Sequence, residues 1–171
     1  MNRRCIFTLS AITVLALAFV PGSTVAQQKP LKEQLVGIWT ALSAETTGPN
    51  GAKQQFYGAP AKGILILDAG GIYAQVLARP GRPKFKSINR FSFEATPEEL
   101  KVAVTGTVAT FGTWSVNEAD KTLTIKTEGA LIPNGEGAEG KLSVSLTGDD
   151  LKLVATFAAG GKAESVYRRA K

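Results

Sequence analysis

Along most of this chain apolar and polar residues alternate, and short clusters of Gly, Pro, Asn and Asp interrupt the alternation. That pattern predicts half-buried strands joined by tight reversals. A first strand is expected from Val36 to Glu45. Thr46 to Ala61 then carries the turn signals Gly48-Pro49-Asn50-Gly51 and Tyr57-Gly58-Ala59-Pro60. Gly63 to Leu67 and Ile72 to Arg79 read as a hairpin around Asp68-Ala69-Gly70-Gly71. On its return strand Tyr73, Gln75, Leu77 and Arg79 share one face, and Ile72, Ala74, Val76 and Ala78 share the other. Five more strands follow, at Phe111 to Val116, Thr122 to Ala130, Leu142 to Leu146, Leu151 to Phe157 and Glu164 to Arg169.

Two segments break the period of two. Leu31 to Leu35 has helical spacing and suits a short turn plugging one end of a barrel. Thr96-Pro97-Glu98-Glu99 is a strong helix start, with an N-cap threonine, proline at the first helical position and glutamate three residues after the cap. That helix should run through Leu100, Val104 and Val108 on one face, although its β-branched residues weaken it. The count is about eight strands, with one helix between the third and fourth. This predicts an all-β, antiparallel up-and-down meander, and about eight strands close into a barrel able to hold one small ligand.

The first 26 residues stand apart. Arg3 and Arg4 precede an apolar run from Cys5 to Val20, Pro21-Gly22 breaks it, and Thr24-Val25-Ala26 supplies small residues for cleavage. This reads as a secretory signal peptide, with a retained anchor as the alternative. Residues 27–34 then form a leader, and 35–171 a single domain long enough for a real core. Arg3 and Arg4 are two of the 20 basic residues, so the mature chain keeps 18 against 14 acidic ones, a net +4. Its scattered cations lack the interleaved aromatics of a nucleic-acid footprint.

Absences restrict the chemistry further. The chain has no histidine, and its single cysteine and methionine are Cys5 and Met1. Serine–histidine–carboxylate and cysteine–histidine catalysis are therefore excluded, as are zinc sites built on His or Cys and haem ligation by His, Cys or Met side chains. No stretch has the spacing of a calcium loop. No metal and no cofactor is expected.

Gly37-Ile38-Trp39 opens the predicted strands, and Tyr167-Arg168-Arg169 ends them. An arginine from the last strand stacked on the Trp39 ring would close the bottom of a barrel. With these residues, the order and spacing of further pieces resemble a bacterial lipocalin-like domain protein over Leu35 to Arg169. Those pieces are Tyr57-Gly58, Gly63-Ile64-Leu65-Ile66, Asp68 with Gly71 and Tyr73, Arg79-Pro80 with Arg82-Pro83-Lys84-Phe85, Thr96-Pro97-Glu98-Glu99, Phe111-Gly112-Thr113-Trp114, and Glu128-Gly129 with Pro133-Asn134. The resemblance implies a calycin-type barrel with an internal cavity, closed structurally by Gly37, Trp39 and Arg169. Arg168 takes the arginine's place if the register differs by one. Relatives often carry histidines on the strand matching Thr124-Ile125-Lys126 and an aromatic after the Pro-Asn. This chain has neither, so no histidine-dependent role carries over.

Candidate ligand contacts are Tyr73 and Trp114, each mid-strand with a polar handle, and Arg79 and Arg82 in the basic loop, which with Arg90 is placed to rim one mouth, although bonds to loop carbonyls and to Glu98 and Glu99 are the favoured account of those arginines. Glu128 is a candidate acid or base, and solvent exposure is the plainer account of both Glu128 and Glu94. The leading reading is a non-enzymatic exported barrel, periplasmic or secreted, binding a small apolar or amphipathic molecule. An isomerase or cyclase using the barrel as a shaped pocket is a second reading, favoured by a buried glutamate beside a tyrosine. A third is an envelope interaction module with a packed interior and an exposed apolar outer wall.

Overall fold

The computed structural model describes residues 29–55, 57–87 and 94–171. The predicted signal peptide, the start of the leader, Phe56, Arg90, Phe91 and Phe93 lie outside the described residues. Helix α1 (Leu31–Leu35) leads into strand β1 (Gly37–Thr47). The other strands are β2 (Lys53–Gln54), β3 (Lys62–Leu67), β4 (Ile72–Ala78), β5 (Thr107–Asn117), β6 (Thr122–Ala130), β7 (Glu139–Thr147), β8 (Asp150–Thr156) and β9 (Lys162–Arg169). Helix α2 (Pro97–Thr105) separates β4 from β5, and a single 3-10 turn (Pro133–Gly135) separates β6 from β7.

From β3 to β9 each strand pairs antiparallel with the next. β1 pairs with β3 on one side and with β9 on the other, which closes an eight-stranded barrel. The two-residue β2 sits beside the end of β1, through Thr46↔Gln54 and Thr47↔Lys53, where the sequence predicted only a loop. The predicted antiparallel β-barrel is therefore the observed architecture.

The predicted helix differs at its end. α2 starts as expected, with Thr96 and Glu99 forming a capping box, but it stops at Thr105. Gly106 follows as C-cap and Val108 is already in β5, paired with Leu77. Val102, Val104 and Thr105 weaken the helix, and the open edge of β4 offers Thr107 to Thr110 a full ladder of backbone bonds.

The largest interior side chains gather at one end. Leu35, Trp39, Leu67, Tyr73, Trp114, Leu123 and Leu151 fill the end covered by α1. Trp39 is wholly buried and donates its indole N–H to Leu35 O at 2.9 Å. The Arg169 guanidinium lies 4.2 Å from the centre of the Trp39 ring. The same group donates to Val36 O at 3.0 Å and Gln34 O at 2.5 Å, carbonyls left without partners at the helix end. At the other end of α1 the backbone N–H groups of Leu31 and Lys32 reach the Glu118 carboxylate at 2.8 and 2.9 Å. A five-residue helix is unstable alone, so these contacts at both ends hold it.

Gly37 is required by the same closure. Its φ is +142°, and a Cβ there would stand 2.8 Å from Arg169 Nη1. Arg168 points elsewhere, into a salt bridge with Asp150 at 2.8 Å. Replacing Trp39 by alanine should cost about 3–5 kcal/mol, the range for emptying a large aromatic site. Equilibrium urea unfolding checks this, and an unchanged midpoint would remove Trp39 from its closing role.

Candidate functional site

The end of the barrel opposite α1 is built differently. Tyr73, Leu77 and Tyr167 are buried inward residues, so alternation turns Gln75, Ser165 and Ala163 inward as well. Register places Thr110 beside Gln75, Ala130 beside Thr110, and Ala155 beside Ala163. These inward side chains are small or polar and only half-buried. They keep partial contact with solvent among the buried inward residues Leu65, Leu77, Leu153 and Ala44 of the same half.

Polar pairs line the floor of this half. Gln75 Nε2 donates to the Tyr167 hydroxyl at 2.6 Å. The Tyr73 and Thr127 hydroxyls meet at 2.9 Å. Both flank Gly112 across the sheet, through Tyr73↔Gly112 and Gly112↔Thr127. Gly112 has φ +159°, and a Cβ there would fall 2.0 Å from Lys126 O. Burial pushes the Tyr167 phenol up, opposed by hydrogen bonds from Gln75 and Ser165. The floor is therefore neutral and of low polarity around that ring.

Loops and α2 make the rim. Arg79, Arg82, Lys62 and Phe85 share a cleft of about 360 Å³ with Val102 and Ala103 of α2. Arg82 donates to the Thr107 hydroxyl, and Arg79 N–H bonds Gly106 O at 2.8 Å. The basic loop is anchored to the helix start, where Glu99 accepts the backbone N–H groups of Lys86 and Thr96, each at 2.8 Å. A second mouth cleft, of about 380 Å³, runs from Tyr57 and Val104 past Val108 and Thr110 to Ala130 and Asn134. Burial raises the Tyr57 pKa, and nearby Arg79 pulls it down.

The structure therefore brings Arg79 and Arg82 together at the rim and places Tyr73 in the floor. Six residues of strand separate Tyr73 from Arg79, about 20 Å. Trp114 does not join them. It is buried at the closed end and gives its indole N–H to Asp68 O at 2.9 Å. Glu128 does not join them either. The β5–β6 register shifts at Phe111/Gly112, which leaves Glu128 unpaired, and it is exposed beside Phe111 in an outer cleft of about 480 Å³. Sequence reasoning had put Gln75 on the Tyr73 face but passed over it, along with Thr110 and Tyr167. A glutamine inside an apolar stripe was the available signal.

The outer wall is also uneven. Ile38, Ile64, Ile72, Val76 and Phe111 are 41–56% exposed on β1, β3, β4 and β5. The pairs Ile64↔Val76 and Ala74↔Phe111 show that these side chains adjoin. On β8 and β9 the outward residues form ion pairs instead, such as Lys152–Glu164 at 2.9 Å. No helix of the described residues is long and apolar enough to cross a membrane.

Hydrogen bonds from the Thr96 and then the Lys86 backbone hold the Glu99 carboxyl below its ordinary value. A depressed carboxylate stabilises the fold above its unfolded pKa, and that contribution is lost as pH falls through the folded one. Glu99→Gln should therefore lose less stability than wild type between pH 7 and strongly acidic solution. Thermal melts across that range check this, and parallel losses would contradict it.

The sequence pattern that defines the lipocalin-like domain family matches residues 36–168. Comparison with curated proteins finds no match. A lipocalin-like protein from Bacteroides uniformis is 13% identical, covering 80% of this chain and 98% of that one, with a TM-score of 0.41. A mutant of the fluorescent protein UnaG is 17% identical over 81% of this chain and 97% of its own, with a TM-score of 0.38. Secretory abundant heat soluble protein 4 from Ramazzottius varieornatus is 16% identical over 80% and 94%, also at 0.38. By the extent of the family match, this chain belongs to the lipocalin-like domain family.

Proposed function

We propose that this lipocalin-like protein is exported, to the periplasm or beyond, and binds a small amphipathic molecule in the open half of its barrel. The observation that carries this reading is the difference between the two ends. The largest side chains fill the closed end, while at the other end the small Ala130, Ala155, Ala163 and Ser165, set among buried Leu77 and Leu153, stay only partly buried. Small-molecule sites combine such apolar walls with a few polar groups, here Gln75, Thr110 and Tyr167. Each Å² of apolar ligand surface removed from water contributes about 25 cal/mol. Export is supported by residues 1–26, with their basic start, apolar run and small-residue cleavage site.

The isomerase or cyclase reading asks for a carboxylate beside Tyr73. The inward neighbours of Tyr73 on β3 and β5 are Leu67 and Gly112, and Glu128 is outside, so binding is favoured over turnover. Titration with the fluorophore 1-aminoanthracene tests binding. Saturable enhancement is expected, and Ala163→Trp, which fills the open half, should abolish it with little change in melting temperature. Absence of saturable binding by the wild-type protein, together with no ligand carried through mild extraction in native mass spectrometry, would overturn the reading.

The apolar outer wall favours a second reading, an interaction module whose partner is another copy of this chain. Identical uncharged patches match under a two-fold axis without like-charge repulsion, despite the basic surface elsewhere. Sedimentation should then show a dimer that Val76→Lys with Phe111→Lys dissociates. A monomer at all concentrations would dismiss it.

A further inference from the structure

The distribution of charge inside the barrel determines which way a ligand must lie, an inference that rests on the binding reading above. Among the described residues, the inward strand positions between Arg79 at the rim and Arg169 under the plug carry no charge. The sheet turns Lys126, Lys141, Lys152 and Glu164 outward. A carboxylate or phosphate pushed to the floor would meet no cation, and burying an uncompensated charge is strongly unfavourable.

The floor still has hydrogen-bonding capacity. Gln75 uses one amide N–H on Tyr167, which leaves its carbonyl oxygen and second N–H. Thr110 stands beside it in register, half-buried like Gln75. A bare alkyl end placed against these groups would strip water from them and replace none of its bonds. The rim has the opposite character, with Arg79, Arg82 and Lys62 in one cleft. Gln75 on β4 and Arg79 just past its end are four residues apart, about 13 Å.

We infer that the ligand is a two-headed amphiphile. Its neutral hydrogen-bonding group, a hydroxyl, amide or carbonyl, lies at the shelf formed by Gln75 and Thr110, with the buried Tyr167 hydroxyl holding Gln75 in place. Its apolar body runs along Leu77, Val108 and Ala163, and its anionic group stays at the cationic rim. The floor thus selects against simple anionic surfactants whose far end is a methyl group.

Displacement of 1-aminoanthracene by 10-hydroxydecanoate and by decanoate tests this, since the two differ only at the deep end. The hydroxy acid should bind about tenfold more tightly, the scale of one well-made buried hydrogen bond. Gln75→Leu should remove that preference. Thr110→Val, which leaves the Gln75–Tyr167 bond in place, should reduce it, so the result does not hang on one variant folding. Equal or tighter binding of decanoate would overturn the inference and leave the carrier reading standing, as would a preference that survives both substitutions. If 1-aminoanthracene fails to bind and native mass spectrometry after mild extraction shows no ligand, the carrier reading falls and this inference falls with it.

Discussion

The contact between Arg169 and Trp39 is the constraint on which the rest of the structure depends. One guanidinium does three things there: it stacks on the indole at 4.2 Å, and it takes Val36 O and Gln34 O. The first strand, the last strand and α1 are thereby tied at one point. Closure of the barrel needs β1 to pair with β9, and Trp39↔Arg169 is the first rung of that ladder. With the Arg169 side chain a third exposed, such a cation–π contact contributes about 1 kcal/mol. The larger effect is indirect, because a helix of five residues has no stability of its own and needs this contact to cover the core.

A sealed end relieves the other end of that duty. Trp39, Tyr73, Tyr167, Leu67, Leu123 and Leu151 are each less than 2% exposed, and they bury enough apolar surface to hold the barrel. The upper half can then carry alanine, serine and threonine between Leu65, Leu77 and Leu153 without the protein losing its core. The same logic explains why the rim is tied by polar contacts. Glu99 fastens Lys86 to the helix start, and Arg82 fastens the loop to Thr107. These fix the mouth without filling it.

Much of this was legible in the sequence because alternation is a local signal. Strand positions and the hairpin at Asp68 to Gly71 follow from spacing and residue type, whereas Arg169 as the partner of Trp39 comes from the family resemblance, with Arg168 open as the alternative. What was hidden depends on register. Alternation from buried Thr127 turns Glu128 outward, as its plainer account expected, and only its missing ladder partner depends on the shift at Gly112. Trp114 reads as a mid-strand aromatic with a spare N–H, yet the β3–β4 turn comes close enough for Asp68 O to take that proton. The end of α2 was missed for a similar reason. Leu100, Val104 and Val108 keep a helical period, but the waiting edge of β4 decides where strand begins. Gln75 was visible on the right face, but its partner Tyr167 is 92 residues away, beyond any local pattern.

Tyr167 marks where the two halves of the barrel meet. Two residues toward the closed end is Arg169, and two residues toward the open end is Ser165. Burial raises its pKa, so the phenol stays neutral through the physiological range. Gln75, its partner, is neutral too. An ion pair at this level would need permanent water, and its desolvation would oppose any molecule that displaced that water. A neutral pair loses far less when the upper half dries, because each member keeps the other's hydrogen bond. The glutamine–tyrosine bond therefore suits a barrel whose upper half alternates between wet and filled, while the packing beneath it stays unchanged.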